Sequence, residues 1–340
     1  MRPQHTSSAR VGLSRMFGRL VGRLVGRANP GRSTAFSASL MGDGVPRRMS
    51  SGEVPRFANG QGLELAARQA VDGLYAGRHR SPRLGSSLDF ADHRPYQDGD
   101  ELRSIDWKAY ARTDRLLVRR WHDDRQLPVA LLLDTSASMA YGAPAKGEVA
   151  RLAAAILGLL TLDQGDRLRL FISGKSERSE PTDAVHVCTV LSGAIDSGSA
   201  TVPQMMTVAG ERLAQRHLVI VLSDLLDDPA AFTDAAASLS ARGHELACLQ
   251  ILDRSELALP ATWGPSRFTD PEGDLSAIDG DASNLAAGYA AAFSAHQEQL
   301  VASCAGLRAD HLLLPTDGNP TELLGGWLAR RALTRRGAGR

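Results

Sequence analysis

The sequence predicts an α/β protein in which an open, doubly wound, mostly parallel sheet is preceded by a smaller N-terminal segment. Three observations predict it. Five short runs from residue 128 onward are predominantly apolar, as strands covered on both faces are. They are interleaved with segments of helical spacing, the grammar of repeated strand–helix units. The first and third runs end in aspartate, and open sheets of this kind bind ligands at the carboxyl ends of their strands, near a topological switch point.

The elements follow in order. Residues 62–80, GLELAARQAVDGLYAGRHR, place Leu63, Leu65, Ala66, Ala70, Val71 and Leu74 at helical spacing, so one amphipathic helix is expected. A polar stretch of loop character comes next, and within it LLVRRW alternates like a strand. PVALLLD (128–134) reads as a buried strand and KGEVARLAAAILGLLTLD (146–163) as a helix. Strands are then expected at 167–173, 217–224 and 244–252, with helices at 202–215 and 229–242. A polar, turn-rich segment spans about 254–280. Beyond it a long helix (LAAGYAAAFSAHQEQLVASCAGL), a fifth strand (DHLLLP) and a terminal helix (TELLGGWLARRAL) close the pattern.

Composition bounds the class. The chain has 340 residues, 43% hydrophobic and 23% charged, values of a globular chain large enough to bury a core without staples. Its 39 Lys and Arg against 38 Asp and Glu give a net charge of +1. That average hides a division: residues 1–60 carry ten Arg against only Asp43 and Glu53, a surplus of +8, and the other 280 residues sum to −7. Residues 1–60 are therefore expected to be a basic, flexible extension, with weak charge-driven binding to anionic surfaces as its one expected activity. Residues 61–127 form the N-terminal segment and 128–336 the main domain. Cys188, Cys248 and Cys304 are odd in number and lack CxxC or CxxH spacing, so neither a disulfide framework nor a zinc site is expected. No apolar run reaches the length of a membrane span, and no secretory signal core free of Arg occurs. A cytoplasmic setting and no specific nucleic-acid partner are the expectations.

The candidate chemistry lies at strand ends. The first strand closes in Asp134-Thr135-Ser136-Ala137-Ser138, the third in Ser223-Asp224, and Thr201 stands directly before a helix. Carboxylates with hydroxyls and no His or Cys form a hard oxygen-only set suited to Mg²⁺ or Mn²⁺. Thr189 and Thr207 are alternatives to Thr201. Asp134 and Ser136 could instead simply cap the following helix.

Asp134-x-Ser136-x-Ser138 after an apolar strand, with a later Thr and a later strand-terminal Asp, resembles the metal-ion-dependent adhesion site of von Willebrand factor A domains. The resemblance implies Ser136, Ser138 and Thr201 as ligands of a divalent ion, with Asp134 and Asp224 holding it mainly through water. A second resemblance is more specific. The stretch from Asp89 to Arg112, DFADHRPYQDGDELRSIDWKAYAR, is similar to the signature of the bacterial domain-of-unknown-function fifty-eight family, (E/D)FxxxRxYxxGDxxRxIDWxxxAR. It marks Arg94, Tyr96, Gly99, Asp100, Arg103, Asp106, Trp107 and Arg112 as a structural or partner-binding segment. As an ion-paired clamp, Arg94, Arg103 and Arg112 would pair with Asp98, Asp100 and Asp106, and Trp107 would fill a gap in the core.

What these resemblances imply is a von Willebrand A-like, chaperone-like protein-interaction module rather than an enzyme. Its Mg²⁺ or Mn²⁺ would capture an acidic residue of a partner, and it would act with an AAA+ ATPase of the MoxR type in assembling or maturing other complexes. The competing expectation is a Mg²⁺-dependent phosphoryl hydrolase with Asp134 as nucleophile. Ser136 stands where such enzymes place a second Asp, and no GxxxxGK(S/T) loop occurs.

Overall fold

The computed structural model describes residues 57, 59–77, 90–97, 105–121, 127–173, 179–194, 200–260, 265–268 and 278–337, so of the basic extension only Phe57, which is buried in the main core, Asn59 and Gly60 are described. The chain divides into two compact units, one holding the residues up to Leu74 together with those from Leu127 onward, the other Tyr75–Gln126.

The larger unit is built on a five-stranded sheet, every strand pair of which is parallel. Its strands are β3 (Val129–Leu133), β4 (Leu168–Ile172), β5 (Leu218–Ser223), β6 (Glu245–Leu252) and β9 (Asp310–Pro315), in the order β4-β3-β5-β6-β9. The expected α/β architecture is thus present, with strand ends within a residue or so of those read from the sequence. Period-two alternation explains why apolar runs were needed. On β3, Val129, Leu131 and Leu133 enter one core while Ala130 and Leu132 enter the other. On β5, Leu218, Ile220 and Leu222 face the first core, and Val219 and Val221 the second.

Helices cover both faces. The first core is closed by α1 (Gly60–Gly77), α3 (Lys146–Asp163), α4 (Ala184–Ser192) and α9 (Pro320–Gly337), through Leu63, Ile156, Leu191 and Leu324 among others. The second is closed by α5 (Val202–Arg212), α6 (Pro229–Ala241) and α8 (Ala282–Gly306), through Met206, Leu239 and Leu300. Small residues let α3 lie close: a Cβ on Gly147 would stand 3.2 Å from the Met139 carbonyl oxygen. A short helix α7 (Arg254–Leu257) follows β6, and β7 (Pro265–Phe268) pairs antiparallel with β8 (Ile278–Asp281), all within the stretch read only as polar turns.

In the smaller unit β1 (Phe90–Pro95) pairs antiparallel with β2 (Leu117–Trp121), and α2 (Trp107–Thr113) lies between them in sequence. Both β1 and α2 fall where the sequence suggested loop. Ile105 and Val118 are buried and bridge to each other.

Candidate metal site at the carboxyl edge

Strand order places the switch point between β3 and β5: from β3 the chain turns to β4 on one side, then returns to β5 on the other. The two adjoining carboxyl ends carry Asp134 and Ser223-Asp224. The Asp134 N–H donates to the Leu222 carbonyl at 3.0 Å, extending the ladder one step beyond the last strand pair. Asp134 is buried and both its oxygens accept: Oδ1 from the Ser136 N–H at 2.9 Å, Oδ2 from the Ser223 hydroxyl at 2.6 Å. Thr135 ties the same loop to the end of β4, its N–H donating to Ser173 Oγ at 2.9 Å.

Beyond Asp134 a single 3₁₀ turn, Ala137–Ala140, folds the hydroxyls back over the strand ends. Ser136 Oγ and Ser138 Oγ stand 3.1 Å apart, and the Ser138 hydroxyl also bonds Asp224. Two oxygens held side by side by one octahedral Mg²⁺ at about 2.1 Å would themselves lie about 3 Å apart, so the serine pair has the spacing of adjacent ligands. Asp224 sits in a tight turn: Leu225 adopts φ 53°, the left-handed region, with its N–H donating to Ser223 Oγ and its carbonyl accepting from His296 Nε2 at 2.8 Å. Gln250, buried on β6, donates to the Asp224 carbonyl at 3.0 Å.

A lysine that the sequence marked only as the first residue of a helix completes the cluster. Lys146, with no exposed surface, places Nζ 2.8 Å from Asp224 Oδ2 and 2.6 Å from Glu256 Oε1. Glu256 belongs to α7, and its other oxygen accepts from the Asp253 N–H at 2.9 Å in a capping box. Tyr289 donates to the Glu256 carbonyl. Glycine at 142, φ 101°, lets the chain pass within reach of Asp253 before α3 begins. No periodicity signals this pair; the weak sequence cue was an acidic residue three positions after Asp253.

Among the described residues the cluster holds three carboxylates and one ammonium, a surplus of two negative charges once all three carboxylates are ionised. Burial, then the neighbouring Asp224 charge, raises Asp134 to about 6. Burial likewise raises Glu256 to about 7 against the pull of Lys146. Burial works to raise Asp224 too, but Lys146 beside it holds it below the ordinary value. The hydroxyl spacing and the surplus negative charge both fit a hard divalent cation. Among the described residues no group of three His, Cys, Asp or Glu is arranged to hold a metal, so such an ion depends on the two serine hydroxyls.

Thr201 is the N-cap of α5, its hydroxyl accepting from the Gln204 N–H at 3.5 Å while the Thr201 N–H donates to Gln204 Oε1 at 3.1 Å. Among the described residues no hydrogen bond joins it to Asp134, Ser136, Ser138 or Asp224. Beside Asp134 opens a cavity of about 240 Å³, lined by Phe57, Thr135, Met139, Glu148 and Arg151 among others. Glu148 and Arg151 pair there at 2.7 Å.

Of the signature segment, Gly99, Asp100 and Arg103 lie outside the described residues. Arg94 is on β1, its backbone paired with Val118, and the Tyr96 N–H donates to the Leu116 carbonyl at 3.0 Å. Asp106 caps α2, its carboxylate accepting from the N–H groups of Lys108 and Ala109. Trp107 is 59% exposed, with Tyr110 edge-on to it, so it does not fill a core gap; Ile105 is the buried residue of that trio. Arg112, in the last turn of α2, is exposed.

The chain is similar to solved structures at low identity. A conserved hypothetical protein, BatB from Bacteroides thetaiotaomicron, is 14% identical, with 61% of this chain and 98% of that chain covered and a TM-score of 0.40. The SpRpn10 VWA domain is 12% identical, with 58% of this chain and 94% of that chain covered and a TM-score of 0.35. Uncharacterized proteins of Mycobacterium tuberculosis (Rv1480) and Mycobacterium bovis (Mb1516) are each 30% identical over 271 residues, covering 75% of this chain and 83% of theirs. The family described as "Protein of unknown function DUF58" matches residues 92–299, and the chain belongs to that family.

Proposed function

We propose that the chain is a non-enzymatic, von Willebrand A-like protein-interaction module whose carboxyl-edge cluster holds Mg²⁺ or Mn²⁺ and, through it, an acidic side chain of a partner. The observation that carries the reading is the pair of Ser136 and Ser138 hydroxyls at ligand spacing over a buried cluster with two surplus negative charges. Ser136 and Ser138 are the direct ligands in this reading. Asp134 and Asp224 orient them by the bonds to the Ser136 N–H and the Ser138 hydroxyl. The bound ion supplies an open coordination position for a carboxylate. The cavity on the Asp134 flank gives the arriving segment room. Because both Asp134 oxygens already accept hydrogen bonds, its geometry supports a holding role over a nucleophilic one.

The partner in this proposal is a MoxR-type AAA+ ATPase in the cytoplasm, with which the chain assembles or matures other complexes; this part rests on the family resemblance of the 89–112 segment. The test is calorimetric binding of the full chain to such an ATPase from the same organism, in Mg²⁺ and in EDTA, with Asp134→Ala alongside. Binding that weakens at least about tenfold, more than 1.4 kcal/mol, in EDTA and in the variant is expected. Undiminished binding in both would refute the metal bridge.

A further inference from the structure

Among the described residues Lys146 is the one cation in the buried cluster, and the geometry around it is over-determined. It is held between carboxylates from two different loops, Asp224 after β5 and Glu256 on α7, at 2.8 and 2.6 Å. Asp224 in turn bonds the Ser138 hydroxyl, and Ser138 faces Ser136. An unbroken chain of polar contacts therefore runs from Glu256 through Lys146 and Asp224 to the two candidate ligand hydroxyls. Glu256 is anchored at its far side by the Asp253 N–H, and Asp253 by the Thr316 hydroxyl at 3.0 Å. A Lys so enclosed cannot swing out to solvent, and no incoming group can reach it without displacing a carboxylate.

We propose that Lys146 is a charge-setting residue: with Glu256 it fixes the cluster at two surplus negative charges and so selects a divalent ion over a trivalent one. The inference rests on the cation-site reading above. Its physical basis is that a buried charge a few ångströms from an ion acts in a medium of low effective dielectric, where one unit alters affinity by at least about tenfold and acts more strongly on a triply than a doubly charged ion. Three carboxylates alone would match a trivalent ion; Lys146 removes one unit of that match. Glu256→Gln and Lys146→Met shift the surplus in opposite directions, and the double variant restores it.

The experiment measures Mn²⁺ and Tb³⁺ separately by calorimetry on the full chain at pH 8, for wild type, Glu256→Gln, Lys146→Met and Lys146→Met/Glu256→Gln. The Tb³⁺-to-Mn²⁺ affinity ratio is expected to fall at least about threefold in Glu256→Gln, rise by as much in Lys146→Met, and return towards the wild-type ratio in the double variant. A merely structural role would weaken both ions together and leave the ratio unmoved, which would overturn the proposal. Should Lys146→Met fail to fold, Glu256→Gln and the double variant, each close in shape to the original, still decide it. Wild-type protein that binds neither ion would refute the underlying cation-site reading instead.

Discussion

At the scale of single residues, Lys146 and Ser223 carry different risks. Lys146 is fully enclosed between Asp224 and Glu256, so without divalent ions Lys146→Met leaves two buried carboxylates without their cation. Breaking such a pair costs about 3–5 kcal/mol, and urea unfolding of the full chain in EDTA is expected to show a loss of that order. Ser223 contributes one hydroxyl, donated to Asp134 at 2.6 Å. Ser223→Ala is expected to cost about 1–3 kcal/mol in the same assay, because the carboxylate stays buried with one partner fewer. The two aspartates and two serines of the cluster were legible as strand-end chemistry. Lys146 and Glu256 were not, since their partnership joins residues 110 apart in sequence and no local pattern announces it.

At the scale of elements, the five parallel strands and their long helices were legible because burial on both faces writes itself into composition. β3 shows the mechanism: Leu131 and Leu132 are fully buried in opposite cores. Leu132→Ala is expected to cost about 2–5 kcal/mol, read by chemical denaturation. The elements that escaped, β1, α2, α4, α7 and the β7–β8 pair, are short or flanked by polar residues. α2 buries no residue at all, so it has no apolar face for periodicity to find. The amino ends of β5 and β6 add a pH dependence. The His217 N–H donates to His244 Nδ1 at 3.2 Å, and burial holds both imidazoles below 6.5. Unfolded histidines take up protons near 6.5 and these two only at lower pH, so their contribution is complete above pH 6.5 and is lost as pH falls below it. His244→Asn keeps an acceptor for the His217 N–H without titrating. Stability at pH 5.5 relative to pH 7.5, read from unfolding free energies, is expected to be higher in that variant than in wild type. The comparison between variants separates the imidazole from Asp134 and Glu256, whose raised values act in the opposite sense.

At the scale of the whole molecule, charge divides the chain: +8 in the first 60 residues and −7 in the remainder. Charge-driven binding of that extension to anionic vesicles is expected to fall steeply between 50 and about 300 mM salt and to vanish when residues 1–55 are deleted, measured by co-sedimentation. The acidic remainder does not attract an acidic partner by bulk charge, so the proposed reading assigns selectivity to a cation held at the β3–β5 switch point. Mn²⁺ titration of the full chain, followed by electron paramagnetic resonance, tests that claim most directly. The account predicts one saturable site in wild type that disappears in Ser136→Ala/Ser138→Ala while the circular dichroism stays unchanged. Equal saturable binding in the variant, or none in wild type, would contradict it.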